Sequence, residues 1–223
     1  MLSLHSLLLG GIAGYLVGSI PSAYLITKWK TGVDLRKEGS RNIGAMNAFE
    51  VTGKRSIGSL VLAADLLKGL LPALILELCR PGNPATTTEA LLVLIPALAL
   101  GHCYPVWLRF HGGRGLATVA GALLLVNPPA IIFWLLVYFI VNRLSRQVHF
   151  SAILASGAAL LVLLVLPVHF LEETTVAMST PGHSGSELKI SIGVALIIIL
   201  SRHIEPFLAL VRGKKPSEMK EDE

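Results

Sequence analysis

The chain has 223 residues, 53% of them hydrophobic and only 15% charged, with a formal net charge of +5 and a mean hydropathy of +0.68. A soluble enzyme carries about a quarter of its residues as charged side chains, the apolar content excludes a disordered chain, and two cysteines in so long a chain exclude a disulfide scaffold. What remains is an all-α, polytopic membrane helical bundle forming one integral membrane domain over residues 1–223.

A membrane-crossing helix needs about 20 mostly apolar residues. Residues 4–27 meet that need without a charge, and they are expected to form a first span rather than a removed signal peptide. Residues 56–78 form a second, interrupted by Asp65 and Lys68, and residues 89–108 a third. Residues 115–126 are apolar but only about 17 Å long as a helix. They end at Asn127-Pro128-Pro129, which stops one helix and can start the next. Residues 115–126 and 130–141 read either as two short or tilted spans or as one re-entrant pair. Residues 151–170 and 188–211 complete a count of about seven.

Charge orients this set. With the amino terminus outside, the cytoplasmic segments are the motif loop 28–55, residues 109–114, residues 142–150 and the tail 212–223. They hold 7, 2, 2 and 4 Lys and Arg, 15 of the 19 in the chain. The outer loop 171–187 holds Glu172, Glu173 and Glu187 and no Lys or Arg. This is a positive-inside pattern with a cytoplasmic carboxy terminus. It accounts for the basic pI near 9.4 without a nucleic-acid partner.

Polar residues gather in three places. Gly39-Ser40-Arg41-Asn42-Ile43-Gly44 puts backbone N–H groups, a hydroxyl, an amide and a guanidinium within six residues. It reads as a phosphate or carboxylate cradle, or as a loop capping a short surface helix. Gly112-Gly113-Arg114-Gly115 leads straight into an apolar run, placing a flexible turn, a cation and a helix amino terminus together. The alternative there is an arginine bound to lipid headgroups. Asp65 and Lys68 share one helix face, about 14 Å from the start of their span. They either face a bundle cavity or lock two helices as a self-neutralising pair. His102 and His203 lie near the inner ends of the third and seventh spans. The seven histidines are too scattered for a metal site, and neither a cofactor nor a disulfide between Cys79 and Cys103 is expected.

Taken in order, the Gly18-Ser19-Ile20-Pro21 segment, Gly39-Ser40-Arg41-Asn42-Ile43-Gly44-Ala45-Met46-Asn47, Asp65 with Lys68-Gly69, Gly101-His102, Gly112-Gly113-Arg114-Gly115 and Arg202-His203 resemble the bacterial acyl-phosphate:glycerol-3-phosphate acyltransferase family over almost the whole chain. The resemblance implies a seven-helix inner-membrane enzyme with its active site facing the cytoplasm. It implies acyl transfer from acyl phosphate to glycerol 3-phosphate, giving lysophosphatidic acid, with membrane lipids around it and no named protein partner. It also implies catalytic roles for Ser40, Asn47, His102 and His203. Ser19, Arg41, Asn42, Lys68, Gly69, Gly112, Gly113, Arg114 and Gly115 are then expected to bind substrate. The chain departs from the family pattern at several positions. Arg41 stands where the family usually has Gly, Met46 for Thr, Glu50 for Arg, Arg114 for Lys, Pro206 for Asn and Ala209 for Arg. Lys215 falls at the family's closing Glu. A family Ser aligns with His149, or with Ser151 after a small shift. A second reading is therefore a relative that uses another phosphorylated acceptor or serves as a lipid-binding subunit.

Overall fold

The structure is a computed structural model that describes residues 4, 7–79, 84–175 and 185–212. All regular structure among these residues is helical. The expected tail 212–223, Lys215 included, lies outside them except for Arg212, as does the middle of loop 171–187.

The first apolar segment is broken rather than continuous. A π-helical turn, Leu7–Ile12, runs into α1, Ala13–Gly18. The chain bends at Ser19–Pro21 and resumes as α2, Ser22–Thr31. Pro21 lacks a donor for the helix ladder, so the break falls where hydropathy alone predicts no change. The motif loop is likewise partly helical: α3, Ala45–Thr52, starts inside it. The second span is α4, Arg55–Cys79, and the third is α5, Pro84–Cys103, ending just before Pro105. A 3₁₀ turn, Val106–Leu108, leads to the Gly112–Gly115 loop and α6, Leu116–Val126.

Asn127 caps α7, Pro128–Ser145, its side chain accepting from the Ala130 N–H at 3.1 Å. The two prolines occupy the first positions, where no ladder N–H is missed. The helix is therefore longer than the expected 130–141, and none of its residues is fully buried. α8, Val148–Val165, stops before Pro167, and α9, Val168–Thr174, follows. The last apolar run also divides, into α10, Gly185–Ser201, and α11, Ile204–Val211. Pro206 sits in the first turn of α11, where its missing N–H costs nothing.

Among the described residues, five segments are long and apolar enough to cross a membrane: Leu8–Thr31, Arg55–Cys79, Thr87–Leu108, Pro128–Ser145 and Val148–Val165. The short α6 is instead buried among its neighbours through Thr118, Val119, Gly121, Ala122 and Val126.

Close helix packing rests on small residues, as expected where lipid removes any hydrophobic drive between helices. A Cβ on Gly10 or Gly18 would strike the backbone of Ala90 or Leu98 on α5. α4 and α6 meet the same way: a Cβ on Gly69 would strike the Thr118 carbonyl, and one on Gly121 the Leu66 carbonyl. Asp65, in the interior of α4, lies 3.8 Å from His102 near the end of α5.

Candidate active site

The bend at Ser19–Pro21 exposes backbone and hydroxyl groups to α4. Asp65 Oδ1 accepts from the Ser22 hydroxyl and from Lys68 Nζ, the latter at 2.9 Å. Lys68 Nζ also donates to the Ile20 carbonyl at 3.1 Å and to Ser22 Oγ at 3.2 Å. All three ammonium hydrogens are thus used, and both charged side chains are buried. The pair locks the bend between α1 and α2 onto α4, and it also lines a small cleft together with Ser19, His102, Gly112 and Gly113. The two open readings of this pair therefore describe one arrangement. Ser19 accepts from Trp107 Nε1 at 2.9 Å.

His102 joins this network to the glycine loop. Its Nδ1 lies 2.9 Å from the Thr118 hydroxyl and 3.8 Å from Asp65 Oδ1. Its carbonyl accepts from the Gly113 N–H at 3.1 Å, and the Cys103 carbonyl accepts from Gly112 at 3.2 Å. Arg202 holds the other side of the loop, donating to the Gly113 and Gly112 carbonyls at 3.3 Å each while stacking over Tyr104. Gly115 adopts φ +80 and starts α6. The loop is pinned by backbone contacts, which leaves the Arg114 side chain to project. Arg114 donates from Nη1 to His149 Nδ1 at 2.9 Å. Burial pushes its guanidinium down to about 10, so it remains a cation at neutral pH. Arg202, Glu205 and Glu50 all act on it electrostatically.

The first loop is organised by Asn47, whose side chain is buried and fully used. Its Oδ1 accepts from the Ser40 N–H at 3.0 Å, and its Nδ2 donates to the carbonyls of Asn42 at 3.0 Å, Glu38 at 3.2 Å and Leu35 at 3.4 Å. Both Nδ2 hydrogens of Asn47 are thus committed to the loop. Ser40 is half-buried, and its hydroxyl bonds to none of the described residues. Arg36 is held by Asp34 and lies over Tyr24, which removes it from any anion site. Arg41 is exposed and adopts φ +56. A left-handed conformation costs a side-chain-bearing residue about 1–2 kcal/mol. Arg41→Gly is therefore expected to raise stability by about 1 kcal/mol, read as a higher thermal midpoint in detergent. If the guanidinium also holds substrate, the same variant will bind glycerol 3-phosphate less well.

The two loops meet. The space beside Gly113 is filled by the Ile43 carbonyl on one side and His102 Nε2 on the other. Glu50 on α3 is close enough to influence Arg114. The structure also holds an apolar groove of about 780 Å³. Met46 and Phe49 of α3, Leu116 and Leu123 of α6, Trp134 of α7 and Leu196 of α10 line it. His203 lies on the α10–α11 turn and is buried. Its Nδ1–H donates to the Ile199 carbonyl at 2.8 Å, leaving Nε2 with no protein partner. Arg114 and Arg202 both lie within electrostatic reach of its ring. Among the described residues no three His, Cys, Asp or Glu side chains gather as a metal site.

A family model for glycerol-3-phosphate acyltransferase matches residues 8–213. The chain belongs to the glycerol-3-phosphate acyltransferase family. One curated relative, the glycerol-3-phosphate acyltransferase of Gluconobacter oxydans, is 34% identical over 94% of this chain and 92% of its own. That of Myxococcus xanthus is 42% identical over 66% of this chain and 74% of its own. Among solved structures, PlsY (YgiH), an integral membrane glycerol 3-phosphate acyltransferase, matches in its glycerol 3-phosphate form with a TM-score of 0.72 and 33% identity over 94% of each chain. Its lysophosphatidic acid form matches with a TM-score of 0.71 and 32% identity. The chain is therefore an acyltransferase of phospholipid synthesis and a multi-pass membrane protein.

Against this family background, three contributors stand out that the sequence motifs did not single out. Ser22 is reachable only because Pro21 bends the chain. Tyr104 lies under Arg202, and Trp107 holds Ser19. His149 reaches Arg114 while Ser151, the other alignment choice, donates back to the Gln147 carbonyl at 2.7 Å. Gly69 lies at the α4–α6 crossing. The alternation of Gly with polar residues marked both loops, but no local pattern marks a contact across 35 positions.

Proposed function

We propose that the chain transfers a fatty acyl group from acyl phosphate to a hydroxyl of glycerol 3-phosphate, giving lysophosphatidic acid and inorganic phosphate. The observation that carries this reading is the contact between the two glycine loops, the Ile43 carbonyl against Gly113, together with an apolar groove lined by α3 and α6, the helices that follow those two loops. Two phosphorylated substrates need two anion-holding surfaces, and a fatty tail needs an apolar trough beside them. Ser40, Arg41 and Asn42 form one surface. Arg114 and the N–H groups at the start of α6, behind Gly112, Gly113 and Gly115, form the other. His203 Nε2 is a buried acceptor available to the attacking hydroxyl.

The attacking oxygen forms a bond to the acyl carbon, the bond from that carbon to the phosphate oxygen breaks, and phosphate leaves. The hydroxyl proton goes to a phosphate oxygen. The acyl group arrives activated, so the protein acts chiefly by orienting the reactants and by stabilising charge as it develops. Asn47, Lys68, Ser19, Gly69 and His102 act on this centre by holding its two loops and the α1–α2 bend. The charge distribution orients about seven crossings with the amino terminus outside. The site then faces the cytoplasm at the inner membrane, the side on which the motif loop 28–55 lies.

The test is an assay with purified protein, acyl phosphate and labelled glycerol 3-phosphate, scored for lysophosphatidic acid. No product from protein that still binds acyl phosphate would count against the reading and favour another acceptor. Glu50→Arg sharpens it. Glu50 offsets part of the field of Arg114, so reversing its charge is expected to lower KM for glycerol 3-phosphate by about tenfold, or about 1.4 kcal/mol. An unchanged KM would place the acceptor phosphate away from α3.

A further inference from the structure

We infer that His149 is a positioning residue: a neutral imidazole whose Nδ1 lone pair orients the Arg114 guanidinium toward the substrate phosphate. The inference rests on the reading of Arg114 as an anion-holding side chain. An arginine side chain only donates hydrogen bonds and keeps its charge. The 2.9 Å contact from Arg114 Nη1 to His149 Nδ1 therefore requires a bare Nδ1, and the proton of the neutral ring sits on Nε2.

The pair is not a charge pair. Glu50 and Glu205 act on Arg114 electrostatically, while the hydrogen bond from its Nη1 goes to a ring nitrogen. A carboxylate in the place of His149 would bind the guanidinium more strongly, and it would also cancel the charge needed to attract phosphate. A neutral acceptor holds one N–H and leaves both the net positive charge and the other donors of the fork free. His149 can do this because Gln147, in extended conformation, precedes α8 and puts residue 149 in its first turn, within reach of Arg114. Ser151, one half-turn on, is committed to the Gln147 carbonyl and cannot substitute.

Four variants assayed with glycerol 3-phosphate and acyl phosphate test the assignment: His149→Phe, His149→Asn, Arg114→Ala and the double Arg114→Ala/His149→Phe. His149→Phe keeps the ring and removes the acceptor. His149→Asn places an oxygen about where Nδ1 stands. The expected result is a KM for glycerol 3-phosphate about tenfold higher in His149→Phe, with kcat within about twofold, and a KM near the parent value in His149→Asn; a hydrogen bond to a charged group is worth this much. In an Arg114→Ala background, His149→Phe should add no further loss. The proposal is overturned if Phe and Asn raise KM equally, if neither does, or if the Phe effect persists without Arg114. Should Arg114→Ala itself leave KM unchanged, the anion-holding role of Arg114 fails first, and that of His149 with it. Thermal midpoints of the variants, taken on the same preparations, separate these outcomes from misfolding.

Discussion

Asp65→Ala is expected to cost about 3–5 kcal/mol of stability, the range for breaking a buried ion pair by removing one partner. Lys68 is 9% exposed and Asp65 3% exposed, so neither side chain has water to turn to. Without the carboxylate, the ammonium keeps only the Ile20 carbonyl and the Ser22 hydroxyl. Ser22 loses its acceptor at the same time. The bend between α1 and α2 is then held by two neutral hydrogen bonds around an uncompensated cation, a costly arrangement at membrane depth. Loss of the monodisperse peak on heating in detergent reads this directly. The double variant Asp65→Leu/Lys68→Met should recover most of the loss, because an apolar pair of similar volume avoids both the buried charge and the desolvation. A single variant as stable as the parent, or a double variant no better than Asp65→Ala, would show that the network does not hold the bend.

That network also shows how far the primary structure could be read. Asp65 and Lys68 were legible as a same-face pair because helical spacing is local. Their partners were not. Ser22 becomes available only through the bend at Pro21, and hydropathy is blind to a bend in an uncharged segment. The same holds for the last apolar run, which divides at Arg202-His203 although its apolar character hardly changes. The two glycine loops were legible as candidate sites because residue type and spacing alone set their backbone freedom. Asn47 was legible as important but not as a clamp, since an amide donates as readily to a loop as to a ligand. Contacts such as Arg114–His149 depend on the rotation of α8 about its axis. Side chains packed against α6, α7 and α10 decide that rotation together, and no single segment encodes it. α6 has 11 residues and is buried among its neighbours, which its apolar character alone does not distinguish from a short span.

Gly113→Ala is expected to lower turnover by about a hundredfold, equivalent to about 2.7 kcal/mol of barrier, with a smaller loss of thermal stability. The cause is steric. Gly113 is not among the residues with positive φ, so alanine meets no backbone strain. Its Cβ would instead occupy space held by His102 Nε2 and the Ile43 carbonyl, with the His102 ring edge at 3.0 Å. The Ile43 contact is backbone and cannot rotate away. Relief requires the first loop to move off the second, and the two loops would then no longer share one junction. A shift of about 1 Å between reacting groups is enough for a hundredfold loss. His102 would be displaced as well, disturbing its contact with the Thr118 hydroxyl at the start of α6. Gly157→Ala is the matching control. It lies within α8 with open space where the Cβ would go, so it should keep full activity and gain about 0.5–1 kcal/mol from reduced backbone freedom. Steady-state rates at saturating substrate, set beside thermal midpoints for both variants, distinguish a lost junction from a lost fold. Full turnover in Gly113→Ala would mean that the two loops work without touching, and the shared-junction geometry would have to be given up.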